Sequence, residues 1–154
     1  MKVVYYILAI LISLTIISCG EKDIITPEQE TLLYENSGLV DSAVVYGCYS
    51  YTLRHFVPDT FDVHSFSTIR VEFDGNTNSD GTSTFIIMHS ETMGSVQIYQ
   101  VHQLSGINMM HNFSHAKQYD ECWFEVRLYI NPPVCGNNEF KFNSARNLRI
   151  YGVK

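Results

Sequence analysis

Two stretches decide the fold: "STIRVEFD" (residues 67–74) and "CWFEVRLYI" (residues 122–130). In the first, Ile69, Val71 and Phe73 fall on one side of an extended chain, with Arg70 and Glu72 on the other. In the second, Phe124, Val126, Leu128 and Ile130 oppose Glu125, Arg127 and Tyr129. Successive side chains of a strand point to opposite faces, so each stretch is a strand with one wall in a core and one in water. One-sided alternation belongs to antiparallel sheets, because parallel sheets are covered on both faces.

The same texture continues outward. "LRIYGV" sets Leu148 and Ile150 against Arg149 and Tyr151. Further strands are expected at Val44–Arg54, Thr84–His89, Val96–Val101 and Phe140–Asn143, separated by Gly, Asn, Asp and Pro. The best candidate for a helical turn is Ile107 to Tyr119. Seven or eight short strands with turn-rich spacing predict an all-β domain over residues 42–154, an antiparallel β-sandwich. Residues 19–41 are polar, contain Pro27 and lack sustained periodicity, which predicts a flexible tether.

The first 18 residues read differently. Lys2 precedes the uncharged run Val3–Ile17, which matches the charged and apolar regions of a secretory signal. A span of the bilayer needs about 20 apolar residues, so this run is expected to be removed rather than retained. Its end, with Ile16 three before Cys19 and Ser18 just before it, resembles the lipobox of bacterial lipoproteins. The resemblance implies diacylglycerol on the Cys19 thiol, cleavage before that residue and acylation of the new amino terminus. Each buried methylene contributes about 0.8 kcal/mol, and several chains together anchor a protein stably. Gly20 leaves no aspartate after the cysteine to retain the chain at the inner membrane, and Glu21-Lys22-Asp23 resembles the charged export signal of Bacteroidota surface lipoproteins. The implied location is the outer membrane of the cell envelope, exposed at the surface.

Removing residues 1–18 leaves 136 of the 154, with nine Lys and Arg against sixteen Asp and Glu, a net charge of −7. That is one domain's worth of chain. It also argues against nucleic acid, whose phosphates must be neutralised by Lys and Arg. The acidity leaves the lipid as the membrane contact.

The closing segment "ARNLRIYGVK" resembles the last strand of galactose-binding-like jelly rolls. That implies a jelly-roll-like sandwich of the kind found in extracellular carbohydrate-binding modules.

Several constellations bear on chemistry. In "EFDGNTNSDGTS", Asp74, Asn76, Asn78 and Asp80 recur every second residue before Gly81, as side-chain oxygens do in calcium loops. With Asn76 as position one, Gly81 is position six, but position twelve is Ile87 where an EF-hand has glutamate. Asn, Asp and Gly are also what a hairpin turn requires. His102, His111 and His115 with Met109 and Met110 would form a copper or zinc set if the segment were helical, but the preferred reading is histidines on turns and methionines filling core gaps, and neither HExxH nor CxxC is present.

Export makes one disulfide expected among Cys48, Cys122 and Cys135. A strand from Cys122 to Ile130 separates its ends by roughly 26 Å. The five residues from Ile130 to Cys135 reach back at most about 17 Å, and the gap left exceeds the roughly 7 Å allowed between bridged α-carbons. Cys48 is therefore the expected partner in any bridge, Cys135 the preferred mate.

No GxSxG elbow or phosphate-cradling glycine loop is present, and Glu72, Glu91, Glu121 and Glu125 offer glycosidase-type pairs that sequence cannot place. Tyr46, Tyr49, Tyr51, Phe56, Trp123, Tyr129 and Tyr151 are too many for one core, which points to a face that stacks on sugar rings. The expected function is a lipid-anchored, non-catalytic binding module with glycan as the leading ligand and no cofactor beyond the calcium candidate; the alternative is a structural or assembly lipoprotein that binds another envelope protein. Mass spectrometry of protein from native cells should find an amino terminus at Cys19 carrying acyl mass; an intact, unacylated terminus would contradict the anchor.

Overall fold

The structure, a computed structural model, describes residues 28–103, 105–131 and 140–154. Nine strands follow one another: β1 (Glu30–Tyr46), β2 (Tyr51–Phe56), β3 (Phe61–Asp62), β4 (Thr68–Thr77), β5 (Thr82–Ser90), β6 (Gly94–Gln103), β7 (Met109–Ala116), β8 (Glu121–Ile130) and β9 (Phe140–Val153). They form two antiparallel sheets, one ordered β1-β9-β4-β7 and the other β2-β8-β5-β6, with short β3 pairing the start of β8. The protein is an all-β sandwich, as the alternating stretches require.

The two deciding stretches supply the facing walls. Ile69, Val71 and Phe73 of β4 are at most 1% exposed, as are Phe124, Val126, Leu128 and Ile130 of β8. Leu148 and Ile150 of β9 join them, and Ile86 and Met88 of β5 complete the centre. At the end where β8 finishes, the interior turns polar. There Asn143 of β9 crosses between the sheets and donates through Nδ2 to the backbone oxygens of Ser83 (2.9 Å) and Tyr129 (3.2 Å).

Three expectations are corrected. The tether expected over 19–41 is shorter, because Glu30–Asp41 belong to β1, which pairs with β9 from Glu30↔Val153 to Tyr46↔Phe140. This strand hides in the sequence because register shifts at Leu32/Tyr34, Asn36/Leu39 and Leu39/Asp41 break its alternation. Within it, the Asn36 side chain accepts a bond from the Gly38 amide (2.9 Å), a turn-like contact inside an edge strand. Across the ladder, Asn147 takes up a positive φ of 52° at the same irregularity.

The single strand expected at Val44–Arg54 is two. Gly47, with φ of 77°, turns the chain out of β1, and β2 crosses to the other sheet. The helical turn expected at Ile107–Tyr119 is the edge strand β7. His111 and Phe113 face inward at period two, and Phe113 stacks on Tyr99 of β6 with ring centroids 3.8 Å apart.

Gly152 sits where the backbone of β9 meets Phe66. A Cβ there would lie 2.4–2.6 Å from the Phe66 ring, which is itself buried. Gly152→Ala should therefore cost about 1–3 kcal/mol of unfolding free energy in urea denaturation. An unchanged midpoint would show that Phe66 is not packed there.

Candidate functional site

The outward wall of β8 is where chemistry collects. Register aligns Phe56, Glu125, Ile87 and Gln97 in one row across the five-stranded sheet, and Arg54, Arg127, Phe85 and Gln100 in the next. Trp123, His89 and Ser95 form the row toward the start of β8.

Glu125 organises this face. Although it lies on the outward side, its side chain is 0% exposed. Arg54 of β2 grips both carboxylate oxygens, Nε to Oε1 at 2.8 Å and Nη2 to Oε2 at 2.9 Å. Arg127 Nε donates to Oε1 at 2.8 Å, and His89 Nε2 lies 2.8 Å from Oε2. Burial alone would raise the Glu125 pKa; hydrogen bonds from Arg54, Arg127 and His89 more than offset it and bring it down to about 2. An unpaired carboxylate could not remain ionised in such a place.

The aromatics are fixed by this cluster. The His89 ring stacks on Trp123 at 5.5 Å and 7° and lies 6.0 Å from Phe56, while the Arg54 guanidinium sits 5.1 Å above the Phe56 ring. Trp123 in turn lines an open cleft of about 290 Å³ at the end of the sandwich. Its other walls are Thr60, the β5–β6 turn Ser90-Glu91-Thr92-Met93, and Tyr119, Asp120 and Glu121 before and at the start of β8. Lys117 holds the Asp120 carboxyl below its ordinary value, with Nζ 2.6 Å from Oδ1. The cleft joins two aromatic rings to hydroxyls and carboxylates, groups that stack on a sugar ring and accept hydrogen bonds from its hydroxyls.

The calcium candidates are divided between two places. Asp74 and Asn76, on the outward face of β4, line a polar depression of about 440 Å³ with Asn108, Met110, Arg146 and Asn147. There Asp74 Oδ2 accepts from Asn147 Nδ2 at 2.6 Å, and Arg146 is its partner in the β4–β9 register. Asn78 instead pairs with β9, accepting from the Phe142 amide (2.8 Å) and donating to the Phe140 oxygen (2.9 Å). Asp80 accepts from the Ser105 amide at 3.3 Å. Turn and ladder duties occupy these two side chains.

The histidines scatter. His111 is buried, its pKa lowered by desolvation against a partial upward pull from Asp74, and its Nδ1 lies 3.4 Å from the Tyr99 hydroxyl. His102 Nδ1 lies 2.8 Å from Ser83 Oγ on the opposite sheet's outer face, and His115 Nδ1 bonds the Ala116 oxygen. Among the described residues, no three His, Cys, Asp or Glu side chains form a metal-binding group. Cys48 is exposed in the β1–β2 turn, and its expected partner Cys135 lies outside the described residues, as does Cys19. Cys122 faces the core, and burial pushes its thiol up to about 11.

Of the aromatics expected on a binding face, Trp123 lines the cleft and Phe56 and Tyr129 share its sheet. Tyr151 lies on the opposite sheet with the Arg70 guanidinium 4.0 Å above its ring. Tyr46, Tyr49 and Tyr51 are exposed at the far end. Sequence reasoning noted Glu125 and Trp123 separately. What it missed was the meeting of Arg54 and His89 around them, which depends on strand pairing across some 30 to 70 residues.

No protein-family model and no curated protein matches the chain. Solved structures do. The chain is similar to infectious bursal disease virus, Gt strain (TM-score 0.46, 9% identity, 80% of this chain and 32% of that one). It is also similar to the VP2 subviral particle of infectious bursal disease virus (0.48, 10%, 81% and 32%), so it spans about a third of either chain's length. A third likeness is to the carbohydrate-binding module TmCBM61 in complex with β-1,4-galactotriose (0.38, 10%, 82% and 89%). These likenesses concern the strand arrangement alone.

Replacing Glu125 by Gln leaves two partly exposed guanidinium groups against a neutral amide, and should cost about 1–3 kcal/mol. The folded pKa of Glu125 lies below its ordinary value, so its contribution is present above about pH 4.5 and is lost as pH falls toward about 2. Urea denaturation between pH 5 and pH 2 should show that loss in the natural protein and not in Glu125→Gln. Parallel curves would contradict the buried ionised carboxylate.

Proposed function

We propose that this sandwich is a non-catalytic carbohydrate-binding module, held at the outer membrane of the cell envelope by lipid on Cys19. The carrying observation is Trp123, which opens onto a cleft shared with Tyr119 and rimmed by Ser90, Thr92, Glu91 and Glu121. A rigid ring with nearby acceptors holds a sugar by stacking and by hydroxyl hydrogen bonds at little cost in side-chain entropy. His89 stacks on Trp123, and His89 is itself bonded to a buried charge, so the ring is ordered before ligand arrives.

Glycoside cleavage needs one carboxylic acid kept protonated near neutral pH. The Lys117 ammonium biases Asp120 the opposite way, which disfavours Asp120 for that role.

A second reading, assembly with another envelope protein, is favoured by one feature away from the cleft. At the far end Tyr46 is 68% and Tyr49 74% exposed, and Tyr46 lies 5.7 Å from Phe140, itself on the surface. Exposed aromatics that cluster are characteristic of protein contacts.

A glycan array followed by calorimetry separates the two. The natural protein should give a defined sugar hit, and Trp123→Ala should weaken it by roughly tenfold or more, with Tyr49→Ala unchanged. A blank array, with envelope proteins captured by the natural protein and lost in Tyr49→Ala, would replace the first reading with the second.

A further inference from the structure

The face around Glu125 is electrically unlike the rest of the molecule. The chain carries a net charge of −6, yet this patch sets two guanidinium groups against one carboxylate. The carboxylate is completely covered, whereas Arg54 is 50% and Arg127 33% exposed. What a ligand meets is therefore the cation layer. The Glu125 contacts use Nε and one terminal nitrogen of Arg54 and only Nε of Arg127, which leaves further N–H donors on both. Phe56 fixes Arg54 from one side.

Beside this plate, on β6, a string of neutral polar groups runs along the same face. Gln97 Nε2 donates to Gln100 Oε1 (3.2 Å), Gln100 Nε2 contacts His102 Nε2 (3.4 Å), and His102 Nδ1 contacts Ser83 Oγ (2.8 Å). The row of Arg127 lies four residues along β8 from Trp123, about 14 Å at strand rise. Cleft and plate are thus two stations on one surface, the first suited to neutral sugar hydroxyls and the second to an anion.

We propose that the ligand is an acidic glycan, which extends from the Trp123 cleft over the sheet and places a carboxylate or sulfate on Arg54 and Arg127. A guanidinium group donates in parallel to two oxygens of a carboxylate, or to two oxygens of a tetrahedral sulfate. The proposal rests on the glycan-binding reading and adds the charge class of the ligand.

The test keeps the protein intact and varies the ligand. Calorimetry of the full chain is run with a partly methyl-esterified oligogalacturonate, its fully esterified form, a sparsely sulfated galactan and a neutral galactan, each at 50 and 300 mM NaCl, so that neutral units are free to enter the cleft beside Glu91, Asp120 and Glu121. An acidic form should bind about tenfold more tightly than its neutral counterpart at low salt, with the difference shrinking at high salt. Oligogalacturonate and the sulfated galactan tell carboxylate from sulfate, and a preference for either supports the plate. Arg127→Gln, which leaves the Arg54 clamp on Glu125 in place, should remove the preference while circular dichroism stays unchanged. Equal binding of charged and neutral forms would overturn the anion site and leave the glycan reading standing. No binding of any of the four, together with a blank glycan array, would overturn both.

Discussion

A carboxylate without access to water holds three strands in register. Glu125 of β8 draws Arg54 from β2 and His89 from β5 onto one point, and Arg127 from its own strand closes the cluster. Such a cluster is not the cheapest way to stabilise a sheet, since well-packed apolar groups serve as well or better. What it supplies is geometry: one satisfied arrangement in which His89 lies flat on Trp123 and Arg54 over Phe56. The wall facing the other sheet is conventional by contrast, a layer of Phe, Val, Leu and Ile that fixes how the sheets stack. One strand thus serves two purposes, core on its even-numbered side and a charged, ordered surface on its odd-numbered side.

The opposite sheet shows how differently an outward face can be built. Glu30, Arg70, Glu72, Arg149 and Glu35 alternate in sign across β1, β4 and β9, and Tyr151 lies under Arg70. Charges there neutralise one another, with Arg70 and Glu72 partly covered at the centre and Glu30, Glu35 and Arg149 open to water at the rim, where each pair contributes little. The face around Glu125 leaves its cations in excess and adjoins a cleft lined by Trp123 and Tyr119, whereas the depression on the opposite sheet has no aromatic ring in its wall.

Much of this was legible in the residues. Period-two alternation in β4, β8 and the end of β9 was enough for the sandwich, because a one-residue slip would exchange core and solvent faces. Where local rules were broken, legibility failed. β1 is bulged at three places, so its residues read as a polar tether although Glu30 and Glu35 form ion pairs with Arg70 and Arg149. β7 holds methionines, histidines and an asparagine, residues of weak strand preference, and only its pairing with β4 makes it a strand. The site was legible in pieces, with Glu125 visible as an outward residue of its strand and Trp123 as one of the surplus aromatics. Their partners Arg54 and His89 come from sequence-distant segments that nothing local ties together. The spacing of Asp74, Asn76, Asn78 and Asp80 was a true regularity, but β4 ends at Thr77, so half the set lines a depression and half bonds neighbouring backbone.

The ionised, buried state of Glu125 is what the surface chemistry rests on, and its side-chain carboxyl carbon reports it directly. In an NMR pH titration of the isotopically labelled protein, that carbon should hold the chemical shift of a carboxylate until the pH approaches about 2. A midpoint in the ordinary range near pH 4 to 5 would mean that Arg54, Arg127 and His89 do not converge on it, and the ordered face would lose its foundation.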